Sequence, residues 1–287
     1  MSHENVSSCS EPWFLLNLAA LDGYENVSSD YSCETLRLAV KEFSESLQHG
    51  EEDIYQYIRD FSLQIYNNLS DSKSDYFVDK TPRYFFIIDF IKRIFPNAKF
   101  IFLLRHPLDI LASYIMSFNN GSIKRFDYYD RDFEAGFSLI ANGYEKYKNE
   151  SYLISYEELV SQNNDSVIKE LFTYLNLPYD PLILSEYKKE NLSGSLGDKN
   201  VENFQKIESN SNKWKKVINT KARRKVAFGL LEHIDKNYLK HLDLNRSNLH
   251  KILMQNKVHF SLAEEIDLLK VKIRRNIKRL IGWKSFS

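Results

Sequence analysis

Apolar positions recur along this chain at two spacings, and the alternation between them predicts strands separated by helices. Tyr76-Phe77-Val78 and Lys99-Phe100-Ile101-Phe102-Leu103-Leu104 are short apolar runs bounded by polar residues, and both read as strands. Between them Phe86, Phe90, Ile91 and Ile94 fall at helical spacing. Thr81 is placed to cap that helix, Pro82 suits its first turn and Pro96 stops it. Strand, helix and strand make a βαβ unit, whose two strands are expected to run parallel through a right-handed crossover. A further helix starts at once with Pro107 and Asp109, and Ile110, Leu111, Tyr114, Ile115 and Phe118 give it an apolar face. Other helices are predicted over Thr35 to Leu47, Asp53 to Leu69, Asp132 to Lys148, Val167 to Leu175 and Lys221 to Leu239. In Asp53 to Leu69 the expected face is Ile54, Tyr57, Ile58, Phe61, Ile65 and Leu69. Tyr152 to Ser155 reads as a third strand, and the polar stretch Asn191 to Asn212 is the longest irregular segment.

Ligands of open parallel sheets sit at the carboxyl ends of the strands, so Lys80 and Arg105 are expected to face one crevice. Two fixed cations there suggest an anionic ligand. Ser113 lies two turns into the helix after Arg105, and an arginine fork, a hydroxyl and a helix start together suit a phosphate. The competing reading is an arginine on a loop and a serine on a solvated face.

The 287 residues are 43% hydrophobic, enough for the core of one large α/β domain. Lys plus Arg equals Asp plus Glu at 39 each, so no overall field draws the chain to nucleic acid or membrane, and anion binding must be local. Cys9 and Cys33 have no spacing that suggests a metal or redox centre. Neither a membrane span nor a signal peptide is visible, which predicts a cytoplasmic protein. From Lys270 to Ser287 seven basic residues and no acidic ones are interleaved with Ile, Leu and Trp. Such a helix can rest on an anionic membrane surface, or pack its apolar face on the domain and leave its charges in solvent.

Asp79-Lys80-Thr81-Pro82-Arg83-Tyr84, followed by Phe95-Pro96-Asn97-Ala98-Lys99-Phe100-Ile101-Phe102-Leu103-Leu104-Arg105-His106-Pro107-Leu108-Asp109-Ile110-Leu111-Ala112-Ser113, resembles the core of the sulfotransferases that use 3′-phosphoadenosine 5′-phosphosulfate. Ser10-Glu11-Pro12-Trp13, Ser155-Tyr156-Glu157-Glu158-Leu159 and the stretch from Gly197 through Lys199 and Lys206 to Trp214 resemble other segments of that family. The resemblance implies an α/β fold with a parallel sheet flanked by helices, of the P-loop nucleotide-kinase-like kind, over residues 1–243. Residues 244–287 then form a basic amphipathic extension. It implies Arg105 and Ser113 at the 3′-phosphate, with Tyr156, Lys199 and Lys206 around the nucleotide. A tyrosine before paired glutamates is also simply a helix start, and loop lysines are usually solvated. Glu11 matches the general base and Lys80 a charge-stabilising lysine, in competition with an ion pair between Lys80 and Asp79. The acceptor implied is a hydroxyl, carbohydrate first, and no metal is needed. Family members begin with a strand and a Pro-Lys/Arg-Ser-Gly-Thr-Thr loop that holds the 5′-phosphosulfate. This sequence starts at a segment resembling a later turn, and no Gly-Thr-Thr or Gly-Lys-Ser run occurs in it. The expectation is a chain inactive in transfer as it stands.

Overall fold

The computed structural model describes residues 3, 5–9, 11–22, 33–161, 164–181 and 211–280. They form two compact units, one within Met1–Lys99 and Leu171–Ile207, the other within Phe100–Glu170 and Glu208–Ser287.

In the first unit β1 (Val6–Ser8) and β2 (Tyr76–Val78) pair in parallel, with Val6 opposite Tyr76 and Ser8 opposite Val78. Between them in the chain come α1 (Phe14–Leu18), α2 (Cys33–Ser44) and α3 (Glu51–Leu69). Glu51, Glu52 and Asp53 open α3 at the positive end of its dipole. Its buried face is Tyr55, Ile58, Ser62 and Tyr66, whereas Tyr57, Phe61 and Leu69 are exposed, so the face predicted from spacing is rotated by about one position. Polar tips decide the rotation. The Tyr55 hydroxyl donates to Asp22 and that of Tyr66 to Asp79, and the Tyr66 ring stacks on Phe77 at 4.7 Å. The helix expected from Thr81 begins later, as α4 (Ile88–Ile94). The Thr81 hydroxyl donates to Asp79 at 3.2 Å instead of capping, Tyr84–Phe86 forms a 3₁₀ turn, and Ile87 breaks from helical geometry at φ −131°. Ile87, Phe90 and Ile94 are then fully buried.

In the second unit β3 (Phe100–Leu104) pairs in parallel with β4 (Ser151–Ser155), Phe100 opposite Ser151 and Leu104 opposite Ser155. Among the described residues the two strands flanking α4 thus belong to different strand pairs. Each finds a partner distant in sequence, a choice that local periodicity does not encode. Next to β3 stands α5 (Pro107–Ser113), continued by a π-helical turn over Tyr114–Phe118, and α6 (Asp130–Tyr147) leads to β4. A capping box opens α7 (Tyr156–Leu159): the Ser155 hydroxyl accepts the Glu158 N–H at 3.1 Å while the Glu158 carboxylate accepts the Ser155 N–H at 3.2 Å. Then follow α8 (Asp165–Leu175), α9 (Trp214–Val217), α10 (Lys221–His233), α11 (Lys236–Lys240), α12 (Arg246–Gln255) and α13 (Leu262–Leu280). The helix expected through Leu239 is broken at Ile234-Asp235, because the Asp235 carboxylate accepts the Asn237 N–H at 2.7 Å and starts α11. Leu104, Leu108, Leu111, Ile115, Trp214, Leu231 and Tyr238 lie in the core of this unit.

The α13 helix docks with its faces reversed from the packing expected of a basic amphipathic helix. Arg274 and Lys278 turn inward to the buried Asp127, at 2.6 and 3.1 Å, and Arg275 pairs with Asp130. Leu269, Ile273, Ile277 and Leu280 face outward. Among the described residues no helix is long and apolar enough to cross a membrane.

Candidate functional site

Each parallel strand pair presents two chemically active side chains at its carboxyl end. After β1 comes Glu11 and after β2 comes Lys80, and their side chains form an ion pair. The Glu11 side chain is only 9% exposed while that of Lys80 is 69% exposed, so the carboxylate is sheltered and the ammonium wet. The Trp13 indole N–H approaches the other Glu11 oxygen at 3.4 Å. Trp13 itself has a left-handed backbone, φ 58°, a conformation that costs a bulky residue about 1–3 kcal/mol and is often found at functional sites. Sequence spacing gave no sign of it.

Asp79 is not the partner of Lys80 here. Its carboxylate accepts from Tyr66 at 2.5 Å, Tyr84 at 2.8 Å and Thr81 at 3.2 Å. Burial raises its pKa above the ordinary carboxylate value, and the three hydroxyl donors only partly offset that. Burial and the Asp79 charge likewise push the Tyr66 and Tyr84 hydroxyls well above the usual tyrosine range, so both stay protonated donors. Asp79 therefore braces the loop after β2, leaving Lys80 for Glu11.

In the second unit Arg105 directly follows β3 and Tyr156 directly follows β4, and the register Leu104 to Ser155 sets them side by side. The Arg105 guanidinium carbon lies 4.3 Å from the Tyr156 ring centroid, a cation–π contact. Its Nε is buried and meets no acceptor among the described residues. Ser113 is half-buried two turns further on, at the junction of α5 and the π-helical turn.

Three further residues hold this turn, and sequence reasoning missed their roles. The buried Tyr238 hydroxyl accepts the Arg105 N–H at 3.2 Å and donates to the Arg105 carbonyl at 3.0 Å. Glu157 accepts the His106 N–H at 2.9 Å. Asp109, expected only to complement a helix dipole, is buried and accepts the N–H groups of Asn212 at 2.8 Å and Trp214 at 3.0 Å. The Trp214 indole lies parallel to the His106 ring, 6.3 Å between centroids. Burial lowers the His106 pKa, against the raising effect of Asp109 and Glu157, which favours a neutral ring beside Arg105.

Glu11 with Lys80, and Arg105 with Tyr156, are thus two separate pairs, one in each unit. Lys199 and Lys206 lie outside the described residues. Among the described residues no three His, Cys, Asp or Glu side chains are grouped to hold a metal ion.

A family model described as the sulfotransferase family matches residues 1–181. Nodulation protein NoeE of Sinorhizobium fredii (strain NBRC 101917 / NGR234) is 30% identical over 112 residues, which cover 39% of this chain and 25% of that protein. An uncharacterized protein of Aquifex aeolicus (strain VF5) is 27% identical over 157 residues, 52% of this chain and 20% of that protein. The chain thus spans 25% and 20% of the lengths of these curated relatives. Among solved structures, the sulfotransferase domain from the curacin biosynthetic pathway is similar over 67% of this chain and 68% of that one, with 18% identity and a TM-score of 0.37.

Proposed function

The chain belongs to the sulfotransferase family, and from that premise we propose that it binds 3′-phosphoadenosine 5′-phosphosulfate and transfers the sulfuryl group to a hydroxyl acceptor, a carbohydrate in the first instance. The observation that carries this reading is Arg105: its backbone is clamped, one face is covered by Tyr156, and its buried Nε meets no acceptor among the described residues. A guanidinium so prepared suits a phosphate oxygen. In this reading Arg105 and Ser113 hold the 3′-phosphate, and Tyr156, Lys199 and Lys206 border the nucleotide. Glu11 takes the acceptor's proton as its oxygen bonds to sulfur and the bond from sulfur to the phosphate oxygen breaks. Lys80 neutralises charge developing in that step, and adenosine 3′,5′-bisphosphate is the product. The proposal assigns no metal and no nucleic-acid partner, and a cytoplasmic setting goes with it.

Calorimetry with adenosine 3′,5′-bisphosphate and with AMP tests the phosphate assignment. The bisphosphate should bind more tightly, and Arg105→Ala should remove about 2–5 kcal/mol of that binding. Equal affinity of the unaltered chain for both ligands would sink it. Transfer is measured separately. If the chain turns over, Glu11→Gln should lower the rate about 100- to 10,000-fold with nucleotide affinity unchanged.

A second reading is favoured by one observation, that the 287 residues contain no Gly-Thr-Thr or Gly-Lys-Ser run to cradle the 5′-phosphosulfate. In it the chain as given binds the nucleotide without transferring. Bisphosphate binding with no detectable transfer would support that reading, and robust transfer would exclude it.

A further inference from the structure

The two faces of α13 are both specialised. The inward face buries Leu268 and Val271 and spends Arg274, Arg275 and Lys278 on Asp127 and Asp130. Opposite it, Leu262, Ile266, Leu269, Ile273, Ile277 and Leu280 are all exposed, from 44% for Ile266 to 86% for Leu280. Leu262, Ile266, Leu269 and Ile273 advance by four, three and four residues, the step of a coiled-coil seam. Written as heptads, Leu262 and Leu269 occupy d, Ile266, Ile273 and Leu280 occupy a, and Asn276 occupies the third d, with Ile277 beside it at e. Isoleucine at a with leucine at d is the combination that favours two parallel strands. The flanks agree with that arrangement. Lys270 stands exposed at e, and Glu265 stands at the preceding g, the position that meets it across a parallel pair, where its carboxylate accepts Lys225 of its own chain at 2.8 Å.

We propose that α13 is a self-association helix, against which a second copy of this chain lays its own α13, parallel and in register. Lys270 of the partner subunit then lies beside the Glu265–Lys225 pair on both sides of the seam. The seam is narrow, as a coiled coil needs, whereas a helix lying in a lipid surface presents a broad apolar face rimmed by free cations. Three of the basic residues that a membrane would need are already paired with Asp127 and Asp130.

Sedimentation equilibrium of the full chain across the micromolar range tests this. The mass should rise from the 33.9 kDa of one chain to that of two. Ile266→Glu combined with Ile273→Glu changes only exposed positions, so circular dichroism should be unaltered while association weakens about 100-fold or more. In a Cys9→Ser, Cys33→Ser background, Asn276→Cys should form a disulfide between copies on mild oxidation, because d positions meet in a parallel in-register pair. A single-chain mass throughout, a two-chain mass insensitive to the double substitution, or a pair that Asn276→Cys does not cross-link would each overturn the proposal. Sedimentation with phosphatidylglycerol vesicles while the free protein stays at one chain would assign the seam to lipid instead.

Discussion

Tyr238 shows how a residue far from any motif can set a site. Its hydroxyl satisfies both backbone groups of Arg105, 133 positions away in sequence, and its buried ring meets Phe137 edge-on at 4.7 Å. Removing that hydroxyl leaves a partly buried N–H and carbonyl without this partner, at a cost of about 1–3 kcal/mol in stability. It also frees the backbone that aims the guanidinium. Tyr238→Phe should therefore reduce discrimination between adenosine 3′,5′-bisphosphate and AMP about tenfold, besides lowering the melting temperature. Calorimetry with both ligands separates positioning from stability. A core substitution such as Phe137→Leu should lower the melting temperature and leave the ligand discrimination intact. Full discrimination in Tyr238→Phe would mean that the clamp serves folding alone.

At the scale of elements, the docking of α13 depends on the charge of one buried carboxylate. Burial opposes ionisation of Asp127, but hydrogen bonds from Arg274 and Lys278 outweigh it and hold the carboxyl below its ordinary range. A carboxylate with a lower pKa folded than unfolded contributes stability that is complete above its unfolded value, about 3.9, and is lost as pH falls through the folded value. Protection of the α13 amides, measured relative to the intrinsic exchange rate at each pH, should thus be high at neutral pH and fall below about pH 4, and Asp127→Asn should lower it at neutral pH as well. Unchanged exchange in the variant would show that Leu268 and Val271 suffice to dock the helix. The existence of this helix was legible in its periodicity, as were β2, β3, β4, α3 and α6. Its orientation was not, because an amphipathic pattern names two faces without saying which one finds Asp127. Pairing was hidden for a related reason: Val6-Ser7-Ser8 carries one apolar residue, too few to announce the strand that brings Glu11 beside Lys80. Arg105 and Tyr156 could be found as strand-end residues, while Tyr238 and Asp109 act through contacts more than a hundred residues apart that no local pattern marks.

The whole molecule carries 39 basic and 39 acidic residues, so no long-range field helps it collect anions. In the proposed reading, affinity for the nucleotide then comes from contacts of hydrogen-bond length at a partly buried site. Such contacts are shorter than the Debye length, which is about 8 Å at physiological ionic strength, and are weakly screened. Polyanions behave differently, because they gather affinity from many spread charges and lose about 1,000-fold or more with a modest rise in salt. Adenosine 3′,5′-bisphosphate should accordingly lose less than about tenfold in affinity as sodium chloride is raised from low concentration to about 0.5 M. Duplex DNA and heparin should be released at physiological salt. A calorimetric salt series for the nucleotide, with heparin-column elution alongside, checks both halves. A steep nucleotide dependence would place the binding energy in exposed lysines and arginines and remove Arg105 from the centre of the assignment. Heparin retention well above physiological salt would instead point to a basic surface suited to an anionic acceptor, and the acceptor class would have to be revised toward acidic polysaccharide.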